Sequence, residues 1–398
     1  MLGERAGQLL DLIRRGRART RGDLIELTGL SRSTVAARVD LLVAAGYLCE
    51  SGREASARGR PSNVLSVDGS GGVVLAADLG AAHAKIAVCD LLGRPLAEAV
   101  HELRLADGPQ PVLRWVEERW REMLGAAGVT SGHVLGLGVC VPGPVDVATG
   151  RIVQHTPVMP GWQDCPFRDH LERQFGVACV VDNDANAMAF GEYHTEWPAS
   201  SPMLFVKVAT GIGAGMVVDG RLLRGADSGE GDIGHVRISS ADDGPLCVCG
   251  ARGCLAASAS GRALARVLRE QGEDVPDSRS VVELALTGHA GATRLVREAG
   301  LMIGDVLATA VSLLNPRMLV LGGDLVLVQD LFVGAVRERL YQRTQPQAAR
   351  GLRVEASRLG DRAGVVGAAR LALEEVLSAE AVDRALAGRQ QPVGRPVC

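Results

Sequence analysis

The sequence predicts a winged helix-turn-helix head over residues 1–70, followed by two α/β lobes, residues 71–190 and 191–378, that face one another across a cleft. Three observations predict it. Apolar residues in the first 45 positions recur at helical spacing, whereas beyond Val73 they gather into short runs that end in glycine. The run-and-turn series of the first lobe begins again near Met203. Charge divides at the head boundary: residues 1–70 hold 11 Arg and 8 acidic residues, net +3, and the other 328 hold 32 basic and 38 acidic, net −6.

At 398 residues the chain exceeds one ordinary domain of about 100–200 residues. Its 47% hydrophobic content excludes disorder as the dominant state. No stretch approaches the roughly 18 uncharged apolar residues of a membrane span, and Met1 leads straight into a charged helical pattern. A cytoplasmic location with no membrane partner is therefore expected. Only Lys85 and Lys207 are lysines among 43 basic residues, a bias that reads as a genome's habit.

In the head, Leu9, Leu10, Leu12 and Ile13 mark a first helix. Thr20 caps a second, Arg21–Leu27, with Leu24, Ile25 and Leu27 facing inward. Gly29 suits the left-handed residue of a tight interhelical turn, and Ser31 caps a third helix from Arg32 to about Ala45. That helix buries Val35, Val39, Leu42 and Val43 and leaves Arg32, Ser33, Thr34 and Arg38 on its other face. Such a helix lays its early polar residues against base edges in the major groove of double-stranded DNA. Two short strands, Gly46–Leu48 and Asn63–Val67, flank a polar wing whose Arg58 and Arg60 suit the minor groove or phosphates. Ser31, Arg32, Ser33, Thr34, Arg38, Arg58 and Arg60 are the candidate DNA contacts; a protein-interaction module with a solvated arginine loop is the plainer alternative.

In the body, strands are expected at Val73–Leu79, Ala84–Cys89, Leu96–Leu103 and Val134–Val141, with a helix over Pro111–Ala127. The second series places strands at Met203–Ala209, Ala214–Val218, Arg221–Leu223 and Met318–Leu321, and helices from Ser260 onward. Between the series, Val180–Val181 ends a strand and Asp182-Asn-Asp-Ala-Asn186 opens a helix. Carboxylates and amides there can grip hydroxyls, with Asp184 as a base for an alcohol and Asn183 holding a neighbour, or can simply cap the helix. Residues 379–398, rich in Pro, Gly and Gln near the end, are expected to be disordered.

Of nine cysteines, six are scattered, whereas Cys247, Cys249 and Cys254 sit within eight residues and His235 lies twelve before them. Three thiolates and one imidazole satisfy a tetrahedral Zn²⁺ with no open position, which is a structural site; free thiols in a loop are the alternative.

The chain resembles the ROK family of repressors and sugar kinases. The resemblance rests on Val141-Pro-Gly-Pro-Val-Asp146, Val181-Asp-Asn-Asp-Ala-Asn186, Thr210-Gly-Ile-Gly-Ala-Gly215, Gly231-Asp-Ile-Gly-His235 and the cysteine trio. It implies an actin-like, ATPase-type two-lobed domain with a sugar in the cleft. Asn183, Asp184, Asp232 and His235 would line the sugar, and His235 would also join Cys247, Cys249 and Cys254 on zinc. It implies a homodimer or homotetramer as well.

Departures from the kinase pattern separate regulator from enzyme. The family's first phosphate loop, Asp-x-Gly-Gly-Thr, is here Asp78-Leu-Gly-Ala81-Ala82, which adds a methyl and removes a hydroxyl where phosphate must approach. Ala209 and Ala214 stand at glycine positions of the second loop, Asp232 replaces a glutamate, and Ala256 replaces a sugar-binding glutamate. ATP and Mg²⁺ are therefore not expected, and no residue is expected to be catalytic, Asp184 being the base position of a kinase. The leading expectation is a transcriptional repressor of carbohydrate metabolism that binds a pseudo-palindromic operator under control of a sugar-like effector. The alternatives are an ATP-dependent sugar kinase with an accessory DNA-binding head, and a regulator that answers a protein partner instead of a sugar.

Overall fold

The computed structural model describes residues 5–54, 62–153, 158–163, 165–239 and 244–389. The head consists of α1 (Ala6–Arg14), α2 (Arg21–Thr28) and α3 (Arg32–Ala44), followed by an antiparallel hairpin of β1 (Leu48–Glu54) and β2 (Ser62–Val67). Thr20 forms a capping box with Asp23 at the start of α2, and Ser31 Oγ accepts the N–H of Thr34 to cap α3. Between them Gly29 takes a φ of 67°, the left-handed conformation that ends α2 abruptly and turns the chain into α3. Leu24, Val35, Val39 and Leu42 are buried as expected, but Leu27 and Val43 are exposed. A short helix has room for a narrow apolar stripe only, and these two fall outside it.

The first lobe follows. Strands β3 (Val73–Leu79), β4 (His83–Asp90) and β5 (Pro95–Glu102) are antiparallel neighbours; α4 (Pro109–Ala126) leads into β6 (Val134–Val141), which pairs parallel with β3. A two-residue pair, β7 (Val145–Asp146) and β8 (Arg151–Ile152), precedes α5 (Phe167–Phe175), and β9 (Ala178–Asn183) joins β6 in parallel. The sheet order is β5-β4-β3-β6-β9. Helix α6 (Asp184–Glu196) then crosses to the second lobe, so one unbroken helix spans the position expected to divide the lobes.

The second lobe repeats the pattern with β10 (Met203–Val208), β11 (Ile212–Val218), β12 (Arg221–Leu222), α7 (Leu255–Ala259), α8 (Gly261–Glu270), α9 (Ser278–Leu286) and α10 (Ala290–Leu314). After them come β13 (Met318–Gly322), α11 (Gln329–Arg343), α12 (Pro346–Ala349) and β14 (Arg353–Ala356). Its order, β12-β11-β10-β13-β14, places third, second, first, fourth and fifth strands side by side, as in the first lobe. Each lobe therefore has the same crossing pattern, with two antiparallel and two parallel pairings.

Helix α13 (Ala363–Val376) returns to the first lobe, where Val365, Ala368, Ala369 and Ala372 pack with Val74, Ala76 and Ala87. The opposite face of that sheet is covered by α4 and α5 through Val112, Val116, Trp120, Phe167 and Leu171. Helix α6 covers one face of the second sheet with Met188, Ala189 and Tyr193 against Phe205 and Val217.

The expectation of a disordered tail is corrected over 379–389, which form α14 (Ala379–Arg389); residues 390–398 lie outside the described residues. Its physical reason is a docking surface. Val382 and Leu386, one helical turn apart, are fully buried in one core with Ala6, Leu9 and Leu10 of α1. Head and first lobe thus share a single apolar cluster that runs from Leu24 and Val39 to Val74 and Leu371.

Candidate functional site

Strands β3, β9, β10 and β13 all end toward one cleft of about 890 Å³, where turns free the backbone and polar side chains collect. From the first lobe it is lined by Asp78, Gly80 and His83, from the start of α6 by Asn183, Asp184 and Asn186, and from the second lobe by Lys207, Thr210, Glu230 and Asp232. His235, Cys247 and Cys249 continue the same wall.

Asn183 and Asp184 are adjacent in sequence and differ in role. The Asn183 side chain caps α6, accepting from the N–H groups of Ala185 at 2.8 Å and Asn186 at 3.4 Å, and its amide donates to the Gly143 carbonyl at 3.0 Å. The capping reading therefore applies to Asn183, which also fixes the Pro142-Gly-Pro turn against the helix. Asp184 is 5% exposed, and its Oδ2 receives the ammonium of Lys207. Asp78, 9% exposed, accepts from Cys140 Sγ at 3.3 Å. Burial pushes the Asp78 carboxyl above its ordinary value despite the attraction of Lys207, and the charge of Asp184 adds to the rise. Burial works to lower Lys207, but Asp184 and Asp78 together hold the ammonium above its ordinary value. Helix α13 closes the floor: a Cβ at Gly364 would lie 2.1 Å from Asp78 Oδ2, so only glycine lets the helix approach the carboxylate.

A second polar network braces the same helix. Asp182, 1% exposed, receives both Nη atoms of Arg224 and the N–H of Asn183 at 2.7 Å. Glu230 accepts from Asn186 Nδ2 at 3.0 Å, from Arg224 Nη1 at 3.3 Å and from the Gly225 N–H at 3.1 Å. Although burial opposes it, the backbone N–H groups of Glu230 itself and Gly225, with Asn186 and Arg224, bring the Glu230 carboxyl below its ordinary value. Lys85, 2% exposed, donates to the Asp361 carbonyl at 2.5 Å and pairs with its carboxylate. His83 reaches toward Arg279 Nη2 at 3.4 Å across the cleft; burial and that cation lower its imidazole below the ordinary value.

His235, Cys247, Cys249 and Cys254 converge, with one donor atom from each lying within 4.8 Å of all the others. His235 Nδ1 is 3.4 Å from Cys247 Sγ, and Cys249 and Cys254 Sγ are 3.7 Å apart. Bonds of about 2.3 Å to sulfur and about 2.0 Å to nitrogen around a tetrahedral Zn²⁺ give sulfur–sulfur edges of about 3.8 Å and sulfur–nitrogen edges of about 3.5 Å. The donor set and these two edges fit such an ion. The other imidazole nitrogen of His235, Nε2, lies 3.9 Å from Asp232 Oδ1, which joins this cluster to the cleft wall.

In the head, Arg32 and Ser33 are exposed at the start of α3, whereas Thr34 and Arg38 are half-buried. Ser31 Oγ is engaged with Thr34 and lies 3.0 Å from Ser33 Oγ. Arg58 and Arg60 lie outside the described residues.

Sequence reasoning missed Lys85 and Lys207 as site residues, together with the Asp182–Arg224–Glu230 network. A signal for the lysines existed: in a chain that writes almost every cation as arginine, its only two lysines both line the cleft.

The ROK family model matches residues 74–375. A xylose repressor of Caldicellulosiruptor bescii is 29% identical over 374 residues, covering 90% of this chain and 92% of its own. The crystal structure of a ROK family transcriptional regulator, a homologue of the E. coli MLC protein, has the same fold with a TM-score of 0.80 at 22% identity, over 97% of this chain and 99% of that one. A ROK hexokinase from Thermus thermophilus is 34% identical with a TM-score of 0.64, and covers 76% of this chain and 99% of its own, a share that fits the two lobes without the head. With the family model spanning both lobes and the cleft between them, the chain belongs to the ROK family.

Proposed function

We propose that this protein is a sugar-responsive transcriptional repressor. The head, as a dimer or tetramer, would bind a pseudo-palindromic operator through Arg32, Ser33, Thr34 and Arg38, with Ser31 holding the start of α3 and Arg58 and Arg60 on the wing. A sugar-like effector in the cleft would meet Asn183, Asp184, Asp232 and His235. Zinc on His235, Cys247, Cys249 and Cys254 would lock the loop that carries two of those contacts; as a closed site it supplies rigidity. The observation that carries this reading is the shared core of head and body: a relative that matches 90% of this chain is a xylose repressor, and the head is built into the first lobe rather than tethered to it.

The shared core also supplies a route from effector to operator. Gly364 of α13 lies under Asp78, and ten residues later, about 15 Å along the helix, Glu374 pairs with Arg14 at 2.6 Å and Arg15 at 2.9 Å of the head. In α14, Asp383 accepts the N–H groups of Arg5 and Gly7 at 2.8 Å each and so caps α1 from outside. An effector that favours one lobe arrangement would move α13 and with it the head.

A kinase reading has two observations in its favour, the buried Asp184 at the start of α6 and the 34% identity of the two lobes to the Thermus thermophilus hexokinase. Against it stand Ala81 and Ala82 in the first phosphate loop, Ala209 in the second, and Lys207 on the Asp184 carboxylate. Genome-wide footprinting of the protein, paired with ATP turnover on a panel that begins with D-xylose and D-glucose, tests both. Specific promoter occupancy without turnover is expected; turnover abolished by Asp184→Asn, with no bound promoters, would replace the repressor reading.

A further inference from the structure

Two carboxylates buried together cannot both ionise unless a cation stands with them. Asp78 and Asp184 are 9% and 5% exposed and line the same cleft, where the charge of Asp184 adds to the cost of charging Asp78. Three things can supply the positive charge: a divalent metal, a cationic ligand, or a side chain. Here Lys207 supplies it, from β10 in the opposite wall, with its ammonium on Asp184 Oδ2 and Asp78 as its second negative neighbour.

We propose that Lys207 is a resident cation that takes the place of a divalent metal between Asp78 and Asp184 and commits this end of the cleft to metal-independent recognition of a neutral polyol. The proposal rests on the reading of the cleft as an effector site for its ligand class, but not for its cation. Among the described residues Asp184 Oδ1 accepts no hydrogen bond, and its residue lines the cleft. The ammonium has three N–H donors and spends one on Oδ2. Side by side they form a fixed acceptor and donor for two neighbouring hydroxyls. Two carboxylates against one ammonium leave the group neutral or negative, so a phosphate or carboxylate on the ligand gains nothing there. The other cleft lysine, Lys85, also favours the charged form of Asp78, but its own charge is paired with Asp361. Lysine suits the post better than arginine: a compact ammonium fits between two carboxylates, whereas a planar fork would pair with one of them.

Mn²⁺ titration of the full-length, zinc-loaded protein, followed by electron paramagnetic resonance, tests the cation without any sugar or DNA. Wild type is expected to show no Mn²⁺ site in the cleft. Lys207→Met should open one, at least about tenfold tighter than any residual Mn²⁺ binding by the wild type, because a unit charge is removed beside the Asp184 carboxylate. The new site should vanish in the Lys207→Met/Asp78→Asn double variant. Lys207→Gln, which keeps a polar side chain, carries the same expectation should the methionine variant fail to fold. A wild-type Mn²⁺ site erased by Asp78→Asn overturns the proposal, as does a folded Lys207 variant that gains none. Failure of the repressor reading would leave these metal results unmoved.

Discussion

Removing the Asp383 carboxylate should loosen the start of α1, and with it the seat of the head on the body. The N-terminus of α1 has no cap of its own: Arg5 precedes it at φ 68° and offers no side-chain acceptor. Its first amides depend on Asp383 of α14, which takes the N–H of Arg5 and of Gly7 at 2.8 Å each. Losing a capping acceptor costs about 1 kcal/mol, within a range of about 0.5–2 kcal/mol. Val382 and Leu386 remain buried in Asp383→Ala, so α14 should stay docked and the loss should be local. A change of about 1 kcal/mol is a factor of about five in a local opening equilibrium. Hydrogen exchange at residues 5–9 should therefore quicken about fivefold in Asp383→Ala, while amides of β3 and β6 keep their rates. Exchange unchanged within about twofold would show that α1 holds its first turn without Asp383 and would overturn this prediction.

Other perturbations have equally definite outcomes. Cys249→Ser should drop zinc from about one ion per chain to near none by colorimetric release, because a tetrahedral site cannot spare one of four ligands. Glu374 is brought below its ordinary 4.5 by Arg14 and Arg15 although burial opposes the shift. A depressed carboxyl stabilises the fold above its unfolded value and loses that contribution as pH falls through the folded one. The stability gap between wild type and Glu374→Gln should accordingly be full at neutral pH and close in acid, as thermal melts at several pH values would read. Arg32→Ala should weaken operator binding and lower the salt slope by about one if Arg32 meets a phosphate; an unchanged slope assigns that contact elsewhere.

Much of the fold was legible because local rules and tertiary structure agree in it. Thr20, Gly29 and Ser31 punctuate α2 and α3 where capping chemistry demands, and Val73–Leu79 is a strand buried along all seven residues, as a strand covered on both faces must be. The His235–Cys247–Cys249–Cys254 cluster was legible because three of its members are near neighbours in sequence. What escaped depends on distant partners. The last helix is unremarkable alone and becomes a helix because Val382, Leu386 and Asp383 find α1, with Asp383 378 residues from Arg5 and 376 from Gly7. Lys207 looks like one polar residue in an apolar strand until the fold brings Asp184 and Asp78 beside it. Arg224 gave no local sign of Asp182, 42 residues away.

Operator, effector and cleft come together in one titration. Fluorescence anisotropy of the labelled promoter of this protein's own gene should show salt-dependent, specific binding by the wild type. D-xylose, or another neutral sugar of a small panel, should weaken it at least about fivefold, the lower end of typical coupling between sites. Asp184→Asn should keep the DNA affinity and lose the sugar response. Promoter binding that no sugar moves would rule out a sugar effector, and a sugar response that survives in Asp184→Asn would place the effector away from Asp184.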